Sequence, residues 1–167
     1  MWNYVSMQRT WPDDWEAQRQ GLNCEMCAEG RPDIKQGSFR VFKGKWADAY
    51  LKRRPAQPGS VVIVFRGLRH VPDISYFTDE EKLGYWGDVS AIAKAIEEAY
   101  KPCQLNYSAF NNTVAHVHTH ITPRYADDPA PCRPLPDYVF ANPDPLTDEQ
   151  LTEQIAHVRR YLPDGSL

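Results

Sequence analysis

The chain is 167 residues long, with a hydrophobic fraction of 42%, a charged fraction of 25% and a formal net charge of −3. Those values fit one globular domain with a real core. The acidic balance argues against a general nucleic-acid binder, whose footprint is a basic patch, and no apolar run approaches the ~20 residues of a membrane-spanning helix. Residues 1–21 are polar and lack the apolar stretch of a secretory leader. A cytoplasmic, reducing setting is therefore expected, in which the four cysteines do not pair as disulfides.

Residues 13–21 read as a short helix, capped by Asp13 or Asp14 and ended by Gly21. Cys24 and Cys27 follow in a tight loop, with Gly30 and Pro32 behind them. Residues 38–42 and 46–51 read as a hairpin around Gly44. Residues 60–66, SVVIVFR, form the most apolar β-branched run and make the central strand. A loop over 67–78 carries His70. Thr78 is followed three positions on by Glu81, the capping-box form. Beyond it Leu83, Trp86, Val89, Ile92, Ala93, Ile96 and Tyr100 recur at three- and four-residue steps, one apolar face of a long helix ending near Lys101 and Pro102. Residues 104–110 read as a strand, Asn111 and Asn112 as a turn or bulge, and 114–122 as a second strand. Residues 126–145 are Pro-rich and irregular, and 146–162 form a second amphipathic helix in which Thr147 and Gln150 repeat the capping pattern. The order implies an α+β domain over 1–167: an antiparallel sheet of about five strands, one long helix packed on it and a C-terminal helix.

Three of the five histidines, His116, His118 and His120, stand at alternate positions of the last strand. On a strand they share one face, with Cβ atoms roughly 7 Å apart. No fold needs such a row for stability, and each imidazole can donate, accept, attack or bind metal near neutral pH. A strand histidine can attack phosphorus through a ring nitrogen and split one hard phosphoryl or nucleotidyl transfer into two easier steps. A second histidine one pleat on can hold a phosphate oxygen or protonate the leaving group. Charge developing on phosphorus needs donors already in place, and Asn106, Asn112 and Thr113 are uncharged candidates just upstream. Asn106 lies inside a strand, where Asn is disfavoured, which tips it toward function. Asn111 and Asn112 read equally well as turn formers. Cys24 and Cys27 have metal-pair spacing; they also read as inert loop thiols, while a redox dithiol lacks its βαβ surroundings.

The segment Leu105, Asn106, Tyr107 and then 112–125, NTVAHVHTHITPRY, resembles the signature of the histidine triad (HIT) family. Residues 58–64, PGSVVIV, with Arg69, His70 and Val71, resemble the family's central strand and the histidine after it. The helix from Asp79 lies where the family's main helix lies, and Cys24 with Cys27 resembles the Cys pair of its zinc-bearing branch. The resemblance covers about residues 22–125. It implies a small α+β fold that dimerises through its helix and sheet edge. It also implies a nucleotide hydrolase or transferase acting on dinucleoside polyphosphates, nucleoside phosphoramidates or similar phospho-anhydrides. His118 then falls on the nucleophile that forms a covalent nucleotidyl intermediate, His120 on a phosphate contact, and Asn106 and Thr113 on the amide and hydroxyl positions. The zinc ligands of zinc-bearing members, and of the related galactose-1-phosphate uridylyltransferases, resemble Cys24, Cys27, His70 and His116. A closed Cys₂His₂ set of that kind is structural, with no open position for water.

Two positions depart from the family. Ser60 stands where many members carry a further histidine. Lys52 stands where many carry a carboxylate for the ribose hydroxyls, and an ammonium accepts no hydrogen bond. Lys52, Arg53 and Arg54 read either as a solvated turn or as a site for a longer polyphosphate or another anionic group. Two other readings stand beside the enzyme: a nucleotide-binding sensor or interaction module with little catalysis, and a metalloenzyme with the whole triad on one metal. The roughly 7 Å spacing disfavours the latter. Cys103 and Cys132 read as ordinary thiols and His157 as a surface residue of the last helix.

Overall fold

The computed structural model describes residues 10–163; the first nine residues of the polar N-terminal stretch lie outside them. In chain order the elements are α1 (Trp15–Arg19), α2 (Glu25–Ala28), β1 (Ile34–Lys35), β2 (Ser38–Lys43), β3 (Ala47–Leu51) and β4 (Val61–Phe65). A 3-10 turn (Ile74–Tyr76) leads into α3 (Asp79–Tyr100), and then come β5 (Gln104–Ser108), β6 (His118–Arg124), α4 (Tyr138–Ala141) and α5 (Asp148–Arg159). The strands form one antiparallel sheet in the order β1-β2-β3-β4-β6-β5. The sheet thus has six strands where about five were expected. The extra one is the two-residue β1, joined to β2 through Gln36 and Gly37, both at positive φ. That is the backbone of a tight two-residue hairpin, disguised by a glutamine where Asn or Asp usually signals it.

Alternation along β4 divides the molecule. Val61, Ile63 and Phe65 point into the main core with Tyr85, Val89, Ile92 and Ile96 of α3. The helix starts as its sequence requires: the Thr78 hydroxyl accepts from the Glu81 N–H while the Glu81 carboxylate accepts from the Thr78 N–H. Its buried face differs from the expected one at the first turns. Leu83 and Trp86 are exposed, and Tyr85 is buried instead, its hydroxyl donating to Thr119 Oγ1 at 2.9 Å. Leu151 and Val158 of α5 complete this core. His157, read as a surface residue, is half-buried and joins α5 to α3 through the Ala99 carbonyl at 2.8 Å.

The opposite face of the sheet carries Tyr50, Val62 and Val64, covered by Cys24, Met26 and Val114 from loops. The histidine strand also differs from the expected 114–122. It begins at His118 and runs through Pro123 to Arg124. Arg124 accepts from Cys103 on the β5 side, so the position of Pro123, one residue back, faces the β4 side beyond its first residue, Val61. No ladder donor is needed there.

Candidate active site and metal centre

His118 pairs with Val64 and His120 with Val62, so both rings stand on the loop-covered face, away from α3. Their centroids are 5.3 Å apart with the rings nearly perpendicular. His116 leaves the row. Residues 113–116 are non-strand, and His116 N donates back to Val114 O at 2.8 Å in a tight three-residue turn. That turn swings the His116 ring off the His118 face and onto the cysteine loop.

There Cys24, Cys27, His70 and His116 converge, with one candidate ligand atom of each lying within 4.8 Å of all the others. His116 Nδ1 lies 3.4 Å from Cys24 Sγ and 3.5 Å from Cys27 Sγ, and His70 Nδ1 lies 3.4 Å from Cys27 Sγ. Atoms bonded at roughly 2.0–2.3 Å to one tetrahedral ion stand at about these separations. The His116 Nε2–H donates to the buried Phe65 carbonyl at 2.8 Å, which leaves the Nδ1 lone pair facing the thiols. Burial holds His116 down to about 4, so it is a neutral imidazole at pH 7. Burial and the neighbouring Cys24 push the Cys27 thiol up to about 12; two thiolates this close require a cation. The four residues therefore fit a zinc ion.

The loop bearing the cysteines is fastened by charge. Arg66 donates to Met26 O at 2.6 Å, to Glu29 at 3.0 Å and to Asp48 at 3.2 Å; Arg31 clasps the same fully buried Asp48, and Lys35 pairs with Glu29 at 2.6 Å. The His70 loop is fastened to the start of α3, where Arg69 is bidentate to Glu81 at 2.9 and 2.7 Å. Gly21, at φ +80°, lets α1 close on this loop: a Cβ there would stand 2.8 Å from the His70 ring.

His118 is oriented from two directions. Its backbone N–H donates to Asn111 Oδ1 at 3.1 Å, and its ring Nδ1–H donates to His116 O at 2.7 Å. Nε2 is then the lone-pair nitrogen of a neutral ring, and burial keeps His118 below the ordinary imidazole range. Burial, with the Lys52 charge added, holds His120 down to about 3; its Nδ1 is buried without a partner among the described residues.

The upstream polar residues divide. Asn106 stands beside Thr122 on the histidine face, and its Oδ1 accepts from Arg124 at 2.6 Å, while Arg124 is bidentate to Asp128. Asn112 and Thr113 are exposed on the turn before β6, with no side-chain hydrogen bond among the described residues. Ser108, directly opposite His120, escaped sequence reasoning because only the strand register places it there. Arg53 and Arg54 are tied to the C-terminal segment, Arg53 to Leu146 O and Asp148 and Arg54 to Pro143 O. Ser60 is fully buried and turned back on Gln57. Lys52 differs from its neighbours. Two residues beyond Tyr50 on the same face, it has no carboxylate or hydrogen-bond partner for its ammonium among the described residues, and burial lowers it.

A family model for the HIT domain matches residues 35–127. Over 108 residues the chain is 31% identical to the protein hit of Bacillus subtilis, a match spanning 62% of this chain and 72% of that protein. Over 90 residues it is 33% identical to the bis(5′-adenosyl)-triphosphatase of Saccharomyces cerevisiae, spanning 50% of this chain and 43% of the yeast protein. Among solved structures, a histidine triad protein from Marinobacter aquaeolei VT8 superposes with a TM-score of 0.64 at 24% identity, covering 75% of this chain and 88% of that one. A Zn-bound histidine triad family protein from Mycobacterium smegmatis does so with a TM-score of 0.59 at 21% identity, covering 83% and 95%. The fold is shared with both, and the chain belongs to the HIT domain family.

Proposed function

We propose that the chain is a nucleotidyl hydrolase or transferase that cleaves a nucleotide phospho-anhydride or phosphoramidate through a covalent intermediate on His118. The observation that carries this reading is the bond from His118 Nδ1–H to His116 O, which leaves Nε2 as a neutral, pre-aimed nucleophile. Nε2 attacks the phosphorus that bears the nucleoside. A P–N bond forms, and the bond from phosphorus to the leaving phosphate or amine breaks in line with it. His120 contacts the phosphate oxygens from the same face. Asn112 and Thr113 offer free donors on the turn, and the amide of Asn106 is held by Arg124. Water or an acceptor hydroxyl then attacks phosphorus and releases its proton to solvent, the P–N bond breaks, and His118 departs as the neutral imidazole with its Nδ1–H still on His116 O.

Cys24, Cys27, His70 and His116 would hold a zinc ion whose role is structural. The same residue, His116, supplies a ligand nitrogen to that cluster and the carbonyl that orients His118. The unpartnered Lys52 ammonium meets an anionic group of the substrate other than the reacting phosphate. Exposed Leu83 and Trp86 on α3, with Tyr107 on the edge strand β5, support a homodimer.

The test is steady-state turnover of a panel of dinucleoside polyphosphates and nucleoside phosphoramidates. His118→Ala is expected to lose at least about a thousandfold in kcat while keeping its zinc and its circular dichroism. Full activity in that variant sinks the mechanism. Tight nucleotide binding without turnover in the wild type favours a sensor or interaction module instead.

A further inference from the structure

Against the turn that leads into β6 lies a cleft of about 460 Å³, between α1, the 3-10 turn and residues 110–115. That size falls within the range of small-molecule sites. Four aromatic residues stand in a largely polar lining: Trp11 and Trp15, whose centroids are 4.7 Å apart, Tyr76 and Phe110. Trp11, Tyr76 and Phe110 are 60%, 54% and 73% exposed, an arrangement that hydrophobic burial alone would not leave standing. Arg19 lines the cleft and donates to the Tyr76 hydroxyl at 3.3 Å.

Asn111 is the telling residue of the lining. It is only 6% exposed, and its backbone sits at φ 51°. Its Oδ1 accepts the His118 N–H, which fixes the amide's orientation. Its Nδ2 is then left buried with no partner among the described residues. A buried unpaired donor is costly, and an acceptor on a molecule in the cleft would satisfy it. Aromatic faces beside an amide donor are the chemistry that holds a planar heteroaromatic ring.

We propose that this cleft binds the nucleobase of the leaving nucleotide, stacked on Trp11 and Trp15, with Asn111 Nδ2 donating to it. The proposal rests on the reaction proposed above. If His118 attacks in line, the leaving group departs on the far side of phosphorus. Asn112 lines both the turn that would receive the leaving phosphate and the cleft beyond it. Substrates with two nucleosides would then gain a contact that those with a small amine leaving group lack.

The test uses the whole chain and two probes: diadenosine tetraphosphate, with two bases, and adenosine 5′-phosphoramidate, with one. In wild type, diadenosine tetraphosphate is expected to quench tryptophan emission. Trp15→Ala should abolish most of that change and weaken binding about tenfold. It should also lower, about tenfold, the ratio of kcat/KM for the dinucleotide to that for the phosphoramidate. Trp15→Phe, which keeps a ring, should restore the ratio, and thermal melts with zinc content confirm folding. An equal loss on both substrates, or no loss on either, overturns the proposal. If the wild type turns over neither probe, the proposed reaction fails while the cleft is judged by quenching alone. Quenching that Trp15→Ala removes supports the cleft, and absence of quenching overturns it.

Discussion

At the scale of single residues, the site depends on imidazoles kept neutral by burial. His120 is held to about 3 against an ordinary 6.5. The unfolded chain takes up that proton below pH 6.5 while the folded chain refuses it. This contribution to stability is therefore fully present above about pH 6.5 and is lost as pH falls toward 3. One such group changes stability by about 1.4 kcal/mol per pH unit, or about 2 kcal/mol between pH 6.5 and 5. Urea unfolding at stepped pH should show this slope, and His120→Asn should flatten it; an equally steep profile in the variant contradicts the assignment. Lys52 gives a second prediction at this scale. Under the proposed chemistry, removing this cation, unpartnered among the described residues, should raise KM about tenfold for substrates with additional phosphates and change it little for a substrate whose single phosphate reacts. Kinetics of Lys52→Ala across a phosphate-length series decide this, and a uniform effect contradicts it. Much at this scale was hidden from the sequence. Arg53 and Arg54 are tied to the C-terminal segment rather than solvated on a turn, whereas Lys52 beside them is not, and only tertiary placement separates the three. Asn106 keeps its Nδ2 hydrogens to donate, and the Arg124 that bonds its oxygen and orients the amide lies 18 residues away.

At the scale of elements, the capping box at Thr78 and the β-branched run of β4 were legible because each signal is local. The position of His116 was not. Period-two alternation places it in the row, but a tight turn at 114–116 removes it, and that turn is set by long-range attachments: Val117 N donates to Val71 O and Phe65 N to Val117 O. Leu83 and Trp86 satisfied the helical period as well as Tyr85 did. The choice fell to Tyr85 because its hydroxyl finds Thr119 in the core. The cysteine loop is held by Arg66, which no local sequence signal singles out. Truncating it leaves Asp48 fully buried with Arg31 as its remaining partner. Arg66→Ala is expected to cost about 3 kcal/mol in stability and to weaken zinc retention. Denaturant unfolding together with metal analysis checks both, and a loss below about 0.5 kcal/mol contradicts the fastening role.

At the scale of the whole molecule, one sheet separates two tasks. Its α3 and α5 face is the core, and its other face carries the candidate site, closed by loops that bear four metal-ligand candidates, two in the segment before β1, one after β4 and one just before β6. A zinc ion there would join residues 24–27 to 70 and 116, segments far apart in the chain. Chelation should therefore lower the melting midpoint by about 5–10 °C, with recovery on adding zinc back; an unmoved midpoint contradicts a structural metal.

The chemistry proposed for this face is most directly tested by intact-protein mass spectrometry after rapid, acid-free quenching with adenylated and guanylated substrates, wild type beside His118→Ala. The wild type should gain the mass of one nucleotidyl group and the variant none, both remaining folded with one zinc. An adduct of equal yield on His118→Ala, or turnover with no adduct on the wild type at any time point, would contradict nucleotidyl transfer through His118.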